Sequence, residues 1–193
     1  MPLLTVACLA AASLVAVAIA TDNPAPTHFD RLSNTGVPVT DVAAKDIEAL
    51  QSSGGKGELR LLDEREGVMF FTAPALHGGL CFAVGPASTK RISVLFCPGQ
   101  EAAALFPSDD SPILDMSGKA FSNEGGVIFL QLVGFAADGI ADVAVIDSNG
   151  TRHAAAVQRN VFARRMMPGE SIQAIVALDA SGKEVFRRDV SIR

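Results

Sequence analysis

The chain has 193 residues, of which 49% are hydrophobic, 19% charged and 6% aromatic, and every aromatic residue is Phe. That length suits one domain or two small ones, and the apolar content is enough for a packed core, which excludes disorder of the whole chain. A formal net charge of −5 excludes nucleic acid as the main partner, and the lack of Trp and Tyr removes the usual aromatic anchors of carbohydrate sites and binding hot spots.

Leu3 to Ala20 carries no charged side chain and ends in Ala18-Ile19-Ala20, a small-x-small pattern ahead of Thr21-Asp22-Asn23-Pro24. Residues 1–20 therefore predict export, by a cleaved signal peptide or as a retained membrane anchor. No basic residue precedes the apolar run, and its eighteen residues sit at the lower limit for crossing a bilayer of roughly 30 Å. Both forms stay open, and both place the folded part outside the cytoplasm, secreted or anchored. Cys8 lies inside the apolar run, whereas a lipidated cysteine should follow it.

Residues 21–40, with three prolines and many small polar side chains, predict an extended tether. A short helix is expected next. Thr40 or Asp41 would cap it, Val42, Ala43, Ile47 and Leu50 would form its apolar face, and Ser52-Ser53-Gly54-Gly55 would stop it. From Glu58 the period changes to two. Glu58 to Leu62 and Gly67 to Thr72 flank the charged turn at 63–67, and Gly79 to Val84 and Ile92 to Cys97 follow, which predicts a four-stranded antiparallel meander.

Cys81 and Cys97 fall in the last two of those strands. In an oxidising compartment such a pair predicts a structural disulfide, and closing a loop of 16 residues would stabilise by roughly 3 kcal/mol. Residues 98–123, rich in Pro, Ser, Asp and Gly, read as a long connection with one helical turn at 101–105. The block 125–193 has the strongest strand pattern. Val127 to Phe135, Ala141 to Ile146, Arg152 to Val157, Val161 to Ala163, Ser171 to Leu178 and Lys183 to Ser191 are separated by turns that include Asn149-Gly150 and Ser181-Gly182. The fold class is thus mainly β: an antiparallel meander over 41–124, with its short helix and connecting loop, plus a small immunoglobulin- or fibronectin-like β-sandwich over 125–193.

Gly79-Leu80-Cys81 with Cys97-Pro98, then Gly134-Phe135-Ala136-Ala137-Asp138-Gly139-Ile140 and Arg159-Asn160-Val161-Phe162, resemble a loose group of uncharacterised bacterial exported or membrane-anchored proteins. The resemblance covers about Leu59 to Val190. It implies a paired-Cys β segment followed by a small sandwich and brings no catalytic residue, cofactor or ligand.

Catalytic signals are weak throughout. Leu76-His77-Gly78-Gly79 resembles an oxyanion loop, but no Gly-x-Ser-x-Gly elbow accompanies it. Ser53-Gly54-Gly55-Lys56 fits Ser-x-x-Lys without its partner elements, and as a flexible helix exit it needs no chemistry. His28, His77 and His153 are scattered, and Asp109-Asp110 or Asp147 with Asn149 do not form a calcium loop, so no metal and no cofactor are expected. Asn149-Gly150-Thr151 is formally a glycosylation sequon, and a tight turn explains it equally well. Arg164-Arg165 and Arg187-Arg188, if they align on neighbouring strands, would form a patch for an anionic partner; protection of exposed strand edges is the plainer explanation.

Two functions remain. The first is a non-catalytic extracytoplasmic interaction module that binds an unknown protein or cell-envelope component, touches no nucleic acid, and meets the membrane only through residues 1–20. The alternative is an exported hydrolase with a fold-assembled site around His77, its nucleophile drawn from Ser88, Ser93, Ser117 or Ser122.

Overall fold

In the computed structural model the residues described are 36–39, 43–76, 79–98, 106, 108, 110–121, 127–166 and 172–189; side chains of 118–121 and 127–130 are left aside. The expected leader, most of the tether, the Thr40-Asp41 cap and the turn at 101–105 lie outside these residues. Among the described residues no helix is long and apolar enough to cross a membrane.

In chain order the elements are β1 (Val37–Pro38), α1 (Ala44–Ser52), β2 (Arg60–Arg65), β3 (Val68–Pro74), β4 (Leu80–Pro86), β5 (Val94–Phe96), β6 (Ile113–Asp115) and β7 (Gly118–Phe121). The remainder are β8 (Val127–Ala136), β9 (Ile140–Asp147), β10 (Arg152–Ala156), β11 (Val161–Arg165), β12 (Ile172–Asp179) and β13 (Glu184–Asp189). They build three antiparallel sheets, ordered β1-β2-β3-β4-β5, β11-β8-β6 with β7 also on β8, and β10-β9-β12-β13. The described residues are mainly β with one short helix, as expected.

Alternation of side chains explains how the sheets stack. In β3, Val68 and Phe70 face one way and join Phe82, Val84, Val133, Phe135 and Val161 in a shared core between the first and second sheets. Met69, Phe71 and Ala73 face the other way and pack with Cys81, Ala83 and Leu50 of α1. Both faces of β3 are therefore covered, which is why its residues from Val68 to Ala73 are all buried and its sequence runs apolar without a break. The second sheet is likewise covered twice. Leu132, Ala136 and Phe162 turn to the third sheet and pack with Val143, Val145, Ile175 and Ala177.

Four expectations change. Val37 and Pro38, placed in the tether, form β1 and pair with Leu61 and Arg60. The helix begins at Ala44 and its cap is Ala43, without a side-chain hydrogen bond, where Thr40 or Asp41 was expected as the cap. The connection over 98–123 contains β6 and β7, which pair with β8 in a register that holds from Ile113 to Ala120 and shifts at Phe121. Strands of three and four residues between polar and small residues carry no readable period of two. Finally, a boundary after residue 124 would separate β7 from β8, its hydrogen-bonded neighbour, so the two blocks share a sheet as well as a core.

The third sheet also contains a repeat. Ile140 to His153 and Ile172 to Val185 match without gaps at a spacing of 32, each with an apolar run, then Asp-x-x-Gly. Ala144 pairs with Val176, its own equivalent, so a local two-fold axis relates the β9–β10 and β12–β13 hairpins. Both turns use the same chemistry. Asp147 Oδ1 accepts the Asn149 and Thr151 N–H groups at 2.8 and 2.9 Å, and Asp179 Oδ1 accepts those of Ser181 and Lys183 at 2.8 and 3.0 Å. Gly150 and Gly182 supply φ angles of +78° and +80°. On the outer face of this sheet Ala144, Val176 and Leu178 are buried. The equivalent residues Arg152 and Glu184 reach across it to 3.7 Å, and Arg187 joins Glu184 at 3.9 Å.

Candidate functional site

The two segments Ala137–Ile140 and Val157–Asn160, distant in sequence, face each other across a cleft of about 440 Å³. The second segment is a two-residue turn in which Gln158 and Val161 exchange both backbone hydrogen bonds at 3.1 Å, and Arg159 and Asn160 take φ angles of +52° and +62°. Consecutive left-handed residues define the tight hairpin turn that usually carries Asn-Gly; Asn tolerates this conformation and Arg does not favour it. Asn160 is 6% exposed. Its Nδ2 donates to Asp138 Oδ1 at 2.8 Å and to Ala136 O at 3.1 Å, and Ala136 N donates to Asn160 O at 2.8 Å. With both acceptors on the nitrogen side, the amide orientation is fixed, and among the described residues Oδ1 accepts no hydrogen bond. An orphaned buried carbonyl oxygen costs about 1–3 kcal/mol.

Arg159 Nη1 donates to Leu62 O at 3.3 Å, which ties the turn to the first sheet. Gln158 also lines a second cleft of about 490 Å³, with Asp63, Arg65 and Glu66. There Arg65 donates through Nε to Asp63 Oδ2 at 2.9 Å, through Nη1 to Ala156 O at 3.3 Å and through Nη2 to Gln158 Oε1. The two clefts form a polar strip in which carboxylate, amide and guanidinium groups can exchange hydrogen bonds with a partner. Among the described residues, those lining it include no Ser, Cys or His.

Cys81 and Cys97 are bonded, with Cα atoms 4.2 Å apart. The Arg pairs are not on neighbouring strands. Arg164 and Arg165 lie on β11 at an edge of the second sheet, whereas Arg187 and Arg188 lie on β13 at an edge of the third. Alternation separates the β13 pair: Arg187 pairs with Glu184 and Asp189, while Arg188 reaches Asp115 of β6 at 2.7 Å. Arg164 donates to the Met166 sulfur. The arginines thus act in separate ion pairs and contacts within their own surroundings.

His77, His28, Asp109 and Ser122 lie outside the described residues. Ser88 and Ser93 are exposed on the β4–β5 loop. Ser117 donates its hydroxyl to Asp115 and accepts Val133 N–H at 3.2 Å, so this serine closes a turn beside β8. His153 Nε2 sits 3.0 Å from Asp147 Oδ2, and together with the turn amides it holds the Asp147 carboxyl below its ordinary range. The Ser181 hydroxyl, followed by the Lys183 amide, does the same for Asp179. Both aspartates are consumed by turn geometry. Among the described residues no group of three or more His, Cys, Asp or Glu could hold a metal ion.

One polar site escaped the sequence. Asp46, in the first turn of α1, is buried and accepts Arg91 Nη2 and Nε at 2.6 Å each and Ile92 N–H at 3.2 Å. The partners are 45 residues apart, so no local spacing announces the pair. Asp138 and Asn160 are 22 residues apart, so their contact has no local spacing either. No family profile matches the chain, and no curated protein or solved structure is significantly similar to it.

Proposed function

We propose that the protein is a non-catalytic interaction module of the extracytoplasmic space, delivered by residues 1–20 and binding a protein or cell-envelope component through the polar strip around Gln158. The observation that carries this reading is the Cys81–Cys97 bond, since disulfides persist where the surroundings are oxidising. The strip supports the binding half. It holds Asp138, Arg159 and Asn160 on turns and Arg65 at the end of β2, a rigid arrangement of hydrogen-bonding groups of both polarities tied to three sheets.

Site-resolved photo-crosslinking in intact cells tests the reading. A crosslinking residue replacing Gln158 should yield a discrete adduct, while one replacing Ser148, on a remote turn, should not. Equal adducts at both positions, or none at Gln158, would refute binding at the strip.

A further inference from the structure

β5 is the outermost strand of the first sheet and has three residues, none of them fully buried. It meets β4 at three register positions, Phe82 with Phe96, Ala83 with Leu95 and Val84 with Val94. Extending that register by one step sets Cys81 opposite Cys97, so the disulfide closes the ladder at its last position. At the other end of the segment Asp46 holds Arg91 and the Ile92 N–H. β5 is thus clamped at two points, one ionic and one covalent, with a short ladder between them. Behind it, Cys81 to Gly85 of β4 are buried, and β4 pairs with β3 at seven positions. Most of the sheet is independent of β5.

We propose that Cys81–Cys97 is a redox latch: reduction by a dithiol oxidoreductase releases residues 94–98 from the edge of β4. In the reaction a thiolate of the dithiol attacks the Cys97 sulfur, the Cys81–Cys97 bond breaks, and Cys81 leaves as a thiolate that takes up a proton. The second thiolate of the dithiol then breaks the mixed disulfide. Two electrons pass to the protein, which gains two thiols, and the dithiol becomes a disulfide. Cys97 is the sulfur attacked because it is the more exposed partner, Cys81 being 1% exposed. The latch depends on the bond and the register, and it stands whether or not the strip around Gln158 binds a partner.

Hydrogen exchange followed by mass spectrometry on the full chain, with and without dithiothreitol, tests it. Releasing the loop constraint should speed exchange at residues 94–97 by about 100-fold, with residues 172–178 of β12 unchanged. Reducing protein that is already folded avoids reliance on a variant, and Cys97→Ser should reproduce the reduced pattern. Unchanged exchange at 94–97, or an equal rise in β12, would overturn the proposal; the second result would mean that the bond supports the whole fold.

Discussion

Phe135→Ala should lower stability by about 3–5 kcal/mol and should do so in a single unfolding transition. Phe135 is fully buried on β8, the strand shared by two cores. Its ring meets Phe70 edge-on at a centroid distance of 5.7 Å and Phe82 at 4.8 Å, and Phe82 in turn meets Phe106 at 5.3 Å. The neighbouring Gly134 shows how little slack exists there, because an added Cβ would lie 2.2 Å from Leu114 O and 2.6 Å from the Phe162 ring. Collapse around a truncated Phe135 is therefore restricted, which puts the cost at the upper end for a large-to-small change. Because the same sheet covers both neighbours, first and third sheets should unfold together. Denaturant titration monitored by far-ultraviolet circular dichroism and by hydrogen exchange would reveal separate transitions if the two blocks were independent.

Asp46→Ala should cost about 2 kcal/mol at neutral pH and should weaken the acid sensitivity of the protein. The substitution leaves the Ile92 N–H and the Arg91 guanidinium without their acceptor and frees α1 from the β4–β5 loop. In the intact protein the Arg91 hydrogen bonds hold the Asp46 carboxyl below 3.8, against the opposing effect of burial. A carboxyl with a lowered folded-state value contributes stability that is complete above its unfolded value, and that contribution disappears as pH falls through the folded value. Unfolding free energy of the parent should accordingly fall below about pH 4, and part of that slope should vanish in the variant. Parallel pH profiles for the two proteins would contradict the assignment.

The alternating segments from Glu58 onward and the turns at Asn149-Gly150 and Ser181-Gly182 made the β character legible, because each pairs a strand period with residues that accept positive φ. The Cys pair was legible for a similar reason, since both cysteines fall at the same end of adjacent predicted strands. What escaped depends on distant partners. Val37 and Pro38 are a strand only because Leu61 and Arg60 lie alongside, and Ile113 to Asp115 only because β8 does. The hairpin repeat at a spacing of 32 was present in the letters, masked by substitutions such as Asp142 for Ala174 and Arg152 for Glu184. The arginine pairs could form one patch only on neighbouring strands, and their strands lie at edges of different sheets, an order that no local pattern reveals. At the strip around Asn160 the turn residues were visible but their convergence was not, since Asp138 and Asn160 meet only when β9 and β11 are placed in different sheets.

Differential thiol alkylation in intact cells tests the account most directly. An impermeant reagent is applied first, the protein is then isolated and mapped without reduction, and a second reagent follows after reduction. The account predicts that the peptides containing Cys81 and Cys97 are joined in protein recovered from outside the cytoplasm, and that both take only the second label. Recovery of the protein from the cytosol with both cysteines free would contradict it.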